Sequence, residues 1–370
     1  MYKWGLVGCG DIAHKRVAPA ILGQQSSVLA AVVSPYPDEL RDFQDKTGVT
    51  KGFSNVDDML ACNDIDAGSD SGTDCGTDCG TDSGADCDTD CGAGGGSGID
   101  IVYVATPVNL HYEIALKALK AGKHVLVEKP MAKNDDECRI LVETAERNGL
   151  KLGVAYFRRF FPTYAEVKNI LAQGVIGDVI RADIMFNSWY DPKPEDPKYW
   201  RVIKDKGYGG PLWDMGCHKL DLLVYLFGMP KSVSAFMSTK THNYEVEDSC
   251  SALMEFDDSM CCSAAFHWNS RVWHDRFEIL GTEGKLILCP ADGDTLQIER
   301  TPRVVAGMGK EVTSIIRPLA ANTHTPLIDD FINAIEQDRT PVVSGQEGRK
   351  TNRILTAIGN ASINNKVVIL

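Results

Sequence analysis

Lys3-Trp4-Gly5-Leu6-Val7-Gly8-Cys9-Gly10-Asp11-Ile12-Ala13 opens the chain with an apolar run of strand length, two glycines, and a change of period. Trp4–Val7 reads as a buried strand, and Ile12–Leu22 repeats its apolar residues at helical spacing. Between them Gly8-x-Gly10-x-x-Ala13 matches the dinucleotide pattern G-x-G-x-x-G/A. Gly8 permits the tight turn, Gly10 lets backbone approach a pyrophosphate, and Ala13 allows close packing of helix on strand. The N-terminus of that helix, at Asp11 and Ile12, presents free N–H groups and a positive dipole end to phosphates. A plain glycine turn has the same letters; the placement between a first strand and a first helix is what selects the nucleotide reading.

Strand and helix patterns continue to alternate outward from this start. Strands are predicted at Val28–Val33, Ile99–Ala105, His124–Val127 and Lys151–Tyr156, with helices at Pro37–Thr47, Val56–Ala61, Leu110–Ala121 and Asp135–Asn148. This order is that of an α/β, doubly wound parallel sheet with right-handed crossovers. After about Arg158 the pattern changes to a helix, Pro162–Gln173, and a succession of strands from Val179 to Arg300. Alternation and short turns such as Gly281-Thr-Glu-Gly284 predict an α+β domain with a mainly antiparallel sheet, finished by helices at Pro326–Gln337 and Gly345–Ala361. The expected division is a dinucleotide-binding domain over 1–156 and a substrate-binding, oligomerising domain over 157–370.

The chain has 370 residues, enough for two cores, and its 44% hydrophobic and 24% charged content is that of an ordinary globular protein. A net charge of −13 argues against a nucleic-acid partner. No apolar stretch reaches the roughly 20 residues needed to span a bilayer, and no signal-peptide pattern precedes the first strand. The expected compartment is the cytoplasm, with no membrane partner. About half of the negative charge lies in 67–98, a low-complexity run of Gly-Thr-Asp-Cys tetrads without Lys or Arg. With almost no apolar side chain to bury, it is expected to be a disordered insertion. Its Cys75, Cys79, Cys87 and Cys91 each stand beside an Asp, but a four-residue repeat produces that spacing by itself, and no metal is assigned.

Three further motifs carry chemistry. Glu128-Lys129-Pro130 follows the strand His124–Val127, at a carboxyl end where such sheets bind ligands; Pro130 restricts the backbone there. Thr106-Pro107-Val-Asn109-Leu-His111 follows another strand end. Asn109 can cap the next helix, and His111 can meet a cofactor or sit in the first helical turn. Gly209-Gly-Pro-Leu-Trp-Asp214-Met-Gly-Cys-His218-Lys-Leu-Asp221 starts a helix on which Asp214, His218 and Asp221 share a face. An acid one turn before a histidine can orient the imidazole, which can then exchange a hydroxyl proton near neutral pH. The second strand ends at Ser34, without the acid usual at an NAD ribose; that leans slightly toward NADP, with Arg41 or Lys15 as possible phosphate partners. Tyr156, Arg158 and Arg159 leave the last parallel strand toward the cleft, and Trp189-Tyr190 and Tyr199-Trp200-Arg201 can stack on a sugar face, form a dimer interface or pack in the core.

These four motifs, in this order and spacing, closely resemble the glucose–fructose oxidoreductase / inositol dehydrogenase / rhizopine-catabolism (Gfo/Idh/MocA) family. The resemblance covers nearly the whole chain except 67–98. It implies a Rossmann domain plus an open antiparallel sheet often used for dimerisation, and so a homodimer or homotetramer. It also implies NAD(P)-dependent oxidation or reduction of sugars, cyclitols and related polyols. Carried over, Lys129 polarises the reacting oxygen, His218 is the acid/base, and Asp214 orients substrate and histidine. The cofactor lies against Gly8, Gly10, Asp11, Ile12, Ser34, Thr106, Pro107, Asn109, His111, Glu128 and Lys129; the substrate meets Tyr156, Arg158, Asp214 and His218. A cis Lys129–Pro130 peptide belongs to the same expectation. Two other readings stay open: a glycoside hydrolase that uses NAD for transient oxidation, and a non-catalytic sugar or nucleotide sensor.

Overall fold

The computed structural model of the chain describes residues 1–63, 65, 98–257, 260–300 and 311–370. Apart from Gly98, the expected insertion 67–98 and its four cysteines lie outside the described residues. Strands β1 (Tyr2–Val7), β2 (Ser27–Val33), β3 (Lys51–Phe53), β4 (Ile101–Val104), β5 (His124–Val127) and β6 (Leu152–Val154) form a parallel sheet ordered β3-β2-β1-β4-β5-β6. That is the classic dinucleotide-binding order. Every residue of β4 and β6 is buried, as their continuous apolar runs require when helices cover both faces. The crossover helices start where the sequence supplies caps. Asn55 accepts from Asp58 N, and Asn134 accepts from Glu137 N at 2.9 Å while Glu137 reaches back to Lys133 N at 3.0 Å. The three-residue edge strand β3 escaped the sequence reading, being too short for its alternation to register.

The second sheet has nine strands: β7 (Val179–Trp189), β8 (Ser232–Ser238), β9 (Ser249–Glu255), β10 (Cys261–His267), β11 (Asn269–Gly281), β12 (Gly284–Leu288), β13 (Thr295–Arg300), β14 (Glu311–Ile316) and β15 (Val368–Ile369). Their order is β14-β13-β12-β11-β7-β10-β9-β8-β15, antiparallel except for the parallel pair β7 and β10. The edge strands β14 and β15 were not anticipated; β14 is mostly exposed and β15 has only two residues. Helices Cys217–Phe227 and Gly345–Asn364 lie on one side of this sheet, whereas Ile180, Met185, Phe236, Leu253, Val312 and Ile316 are exposed. Among the described residues no helix is long and apolar enough to cross a membrane.

The C-terminal part of the chain returns to the first sheet. Leu327, Ile328, Phe331 and Ile332 of the helix Thr325–Glu336 join the core of Trp4, Leu6, Tyr103 and Leu126, with the Trp4 and Phe331 rings 6.2 Å apart. Helix Gly345–Asn364 bridges both halves: Asn352 donates to Ala132 O at 2.6 Å, and Arg349 pairs with Asp135 at 2.6 Å. Deeper in, Arg159 grips Asp221 with two bonds of 2.9 and 2.7 Å and reaches Glu347 at 2.9 Å. The Arg159 and Asp221 side chains are 3% and 0% exposed. Through Asp221 and Glu347, Arg159 ties the exit of β6 to the helices Cys217–Phe227 and Gly345–Asn364. Removing one buried partner strands the other charge, so Asp221→Ala is expected to cost about 3–5 kcal/mol in urea denaturation. An Arg159→Met/Asp221→Leu double variant should recover most of that loss, because neither member of the buried pair is left charged and Glu347 keeps its bond to Lys350.

Candidate active site

β5 delivers Glu128, Lys129 and Pro130 to the cleft between the two sheets, with the Lys129–Pro130 peptide cis. Lys129 Nζ donates to the Asp214 carbonyl at 2.8 Å and to its Oδ1 at 3.2 Å. Arg201 Nη1 donates to Asp214 Oδ2 at 3.0 Å. Burial alone would raise the Asp214 carboxyl, but Arg201 and Lys129 outweigh it and hold the group at about 2. Asp214 is therefore a carboxylate at any working pH. Its position depends on glycines: a Cβ on Gly210 would stand 1.8 Å from Glu247 O, and one on Gly209 2.2 Å from Trp213 Cδ1.

The expected pairing of Asp214 with His218 is absent. Leu212–Gly216 is a π-helical turn, which winds wider than an α-turn and offsets residues four apart. Asp214 turns to its two cations, and no hydrogen bond or ion pair joins it to His218. His218 is 4% exposed, its Nδ1 is buried without a partner, and its ring meets Tyr156 and Phe157 edge-on at 5.9 and 5.3 Å. Burial first, then Arg158, Lys129, Lys219 and His324, push its pKa well below the ordinary histidine value. The imidazole is therefore neutral near pH 7. Asp221, expected on the same face, is turned away into the Arg159 pair.

Other expected site residues divide into two groups. Tyr156 is fully buried beside His218, with its hydroxyl unpartnered. Arg158 is not free for substrate: it grips Asp292 at 2.7 and 2.5 Å, and Lys219 joins Asp292 and Asp275 at 2.7 and 2.9 Å. Only Arg158 Nη1 lacks a partner. Arg201, read in the sequence only as part of an aromatic loop, is the arginine that lines the cleft with Lys129, Asp214, Thr106 and Trp200 around a cavity of about 50 Å³. His324 was missed altogether. It is 1% exposed, stacks near Phe157 at 4.6 Å, and lies 3.6 Å from Glu128, which also accepts from Tyr103 at 2.8 Å. Nothing in its local sequence marks it, because only the returning C-terminal chain brings it there.

At the nucleotide end, Gly8 has φ +108°, and a Cβ there would stand 2.7 Å from Ala105 O, so glycine is required where β1 and β4 part. A Cβ on Gly10 would meet nothing, leaving open space above the turn. Asp11, at the start of the following helix, pairs with Lys15 at 2.6 Å and Lys198 at 2.8 Å; these hydrogen bonds lower it to about 2. Its neighbour Ile12 is half-buried. Ser34 is buried, and its hydroxyl donates to Glu39 at 3.3 Å. Thr106 Oγ1 and Asn109 Oδ1 are buried without partners. Asn109 does not cap: Pro107 precedes a 3₁₀ turn, Val108–Leu110, that contains it. The ring nitrogens of His111 lie 2.8 Å from Pro130 O and 2.9 Å from Thr106 O, so this histidine braces the two turns.

Two family models match the chain: an oxidoreductase-family NAD-binding Rossmann fold over residues 93–156, and a GFO/IDH/MocA C-terminal domain over 164–287. The chain belongs to the GFO/IDH/MocA oxidoreductase family. It is 27% identical to scyllo-inositol 2-dehydrogenase (NADP(+)) of Bacillus subtilis over 74% of this chain and 79% of that one. It is 25% identical to 1,5-anhydro-D-fructose reductase of Ensifer adhaerens over 94% and 92%. The fold matches the aldose-aldose oxidoreductase of Caulobacter crescentus, solved with glycerol, at a TM-score of 0.80 and 24% identity over 100% and 99% of the two chains. As a GFO/IDH/MocA protein it is an oxidoreductase with a Rossmann NAD-binding domain.

The depressed His218 pKa has a consequence for stability. Between the ordinary histidine value and the lowered folded value, the unfolded chain binds a proton that the folded chain does not. Stability from this group is complete above the ordinary value and falls as pH drops through that window. Thermal melts at about pH 7.5 and about pH 5.5 should therefore show the wild type losing more stability than His218→Asn.

Proposed function

We propose that this protein transfers a hydride between a nicotinamide dinucleotide and a CH–OH carbon of a sugar, cyclitol or related polyol. The observation that carries this reading is Lys129, bonded to Asp214, with the buried His218 near enough for the lysine charge to act on it. The sugar-class relatives support the substrate class. The residues present suit a dinucleotide: the close approach at Gly8, the open space over Gly10, and the unpartnered Thr106 and Asn109 oxygens await a polar ligand. Gly8, Gly10, Asp11 and Ile12 would hold the pyrophosphate, Ser34 the adenosine ribose, and Thr106, Pro107, Asn109, Glu128 and Lys129 the nicotinamide half. When bound, the nicotinamide supplies or accepts the hydride.

The chain's own residues do the rest. Lys129 Nζ faces the substrate oxygen and stabilises alkoxide charge in a site shielded from water, where a fixed cation acts strongly. The His218 imidazole takes the hydroxyl proton during oxidation and returns it during reduction. Asp214 is a positioning group: it holds Lys129 and Arg201 in place rather than orienting the histidine. Arg201 replaces Arg158 as the arginine that meets substrate. The exposed apolar side chains of the second sheet support assembly into a homodimer or homotetramer. Residues 1–156 then serve the cofactor and 157–370 the substrate. The thiols of Cys9, Cys138, Cys217, Cys250, Cys262 and Cys289 fit the reducing cytoplasm.

Lys129→Ala should lower kcat by about 10²–10⁴-fold while nicotinamide fluorescence still reports dinucleotide binding. If purified protein freed of co-purifying nucleotide binds neither NADH nor NADPH, the reading is wrong.

A further inference from the structure

The adenosine end of the cleft offers a carboxylate that strand β2 itself does not supply. After Val33 come Ser34-Pro35-Tyr36-Pro37, and the helix Pro37–Thr47 then folds back toward the strand end. Glu39, in its first turn, accepts from Ser34 Oγ at 3.3 Å. A glutamate at this helical position normally reaches back to the backbone N–H of the capping residue. Here that N–H, on Tyr36, is bonded to Ser34 Oγ at 3.3 Å. The Glu39 carboxylate is instead drawn to the buried serine beside the phosphate-binding turn. Its nearness to that turn shows at Cys9, whose thiol is pushed up to about 12 by burial and then by Glu39.

Among the described residues, the cations nearest this end by sequence already have acidic partners. Arg41 is bonded to Asp38, Lys15 to Asp11 at 2.6 Å, and His14 lies 3.6 Å from Asp42. The one charged side chain bonded to Ser34 is the Glu39 carboxylate.

We propose that Glu39, delivered by the helix rather than by the strand end, selects NAD(H) over NADP(H). An ionised carboxylate only accepts hydrogen bonds, so it matches the ribose 2′-hydroxyl and repels a 2′-phosphate of about two negative charges. This rests on the dinucleotide reading above and reverses the lean toward NADP drawn from Ser34 alone.

The test is a nicotinamide-fluorescence titration of NADH and NADPH against wild type, Glu39→Gln and Asp45→Asn. Glu39 is exposed, and neutralising it removes no core contact. The wild type should bind NADH at least about tenfold more tightly, and Glu39→Gln should reduce that preference about tenfold. Asp45→Asn, an equal charge change further along the same helix, should leave the ratio unaltered. Equal or tighter NADPH binding by wild type overturns the proposal, and so does a ratio that Glu39→Gln does not move. Binding of neither dinucleotide defeats the dinucleotide reading itself, a different result from a wrong preference.

Discussion

Asp214 is an ionised carboxylate held between two cations from different parts of the chain, and the arrangement of the cleft follows from it. Lys129 arrives from the parallel sheet and Arg201 from the loop after β7, and each bonds one oxygen of the same carboxylate. Removing such a group from water costs several kcal/mol, which two well-placed cations offset. The triad therefore ties the parallel sheet's Lys129 to the segment between β7 and β8 at the candidate site. It also fixes the direction of the lysine, which would otherwise sample many rotamers on its long stem.

Burial first, and then nearby cations that include Lys129, set the state of His218. Lys129, Arg158 and Lys219 surround a buried ring that has no carboxylate partner, so the uncharged imidazole is the stable form. A histidine paired with an acid would be drawn toward the protonated state instead. Separating Asp214 from His218 leaves one group charged and the other neutral. The π-turn at Leu212–Gly216 produces that separation, and the glycines on either side leave room for it.

Below this cleft lies a second layer of charge that is structural. Arg159–Asp221–Glu347 and Arg158–Asp292–Lys219–Asp275 are buried networks that hold the exit of β6 against the second sheet and the C-terminal helices. Lys219 is 0% exposed, and its neighbour His218 inherits its placement from this anchorage. The helix Thr325–Glu336 acts on the other side: by packing on the first sheet's core it carries His324 to Glu128.

The local sequence determined the parallel sheet, its glycine turn and the delivery of Lys129 by β5, because these follow from hydrophobic periodicity and from backbone needs only glycine or proline meets. Gly8 at φ +108° against Ala105 is such a case. Most strands of the second sheet were legible for the same reason, while β3 and β15 were too short to show a period. Charge partnerships were not legible. Asp214 and His218 stand four apart in the sequence, yet a π-turn parts them; Arg158 looked like a substrate contact, yet Asp292, distant in the chain, holds it. His324 and the link between Ser34 and Glu39 likewise exist only once the chain has folded back. Coulombic and hydrogen-bonding partners are chosen by distance in space, and only tertiary structure sets that distance.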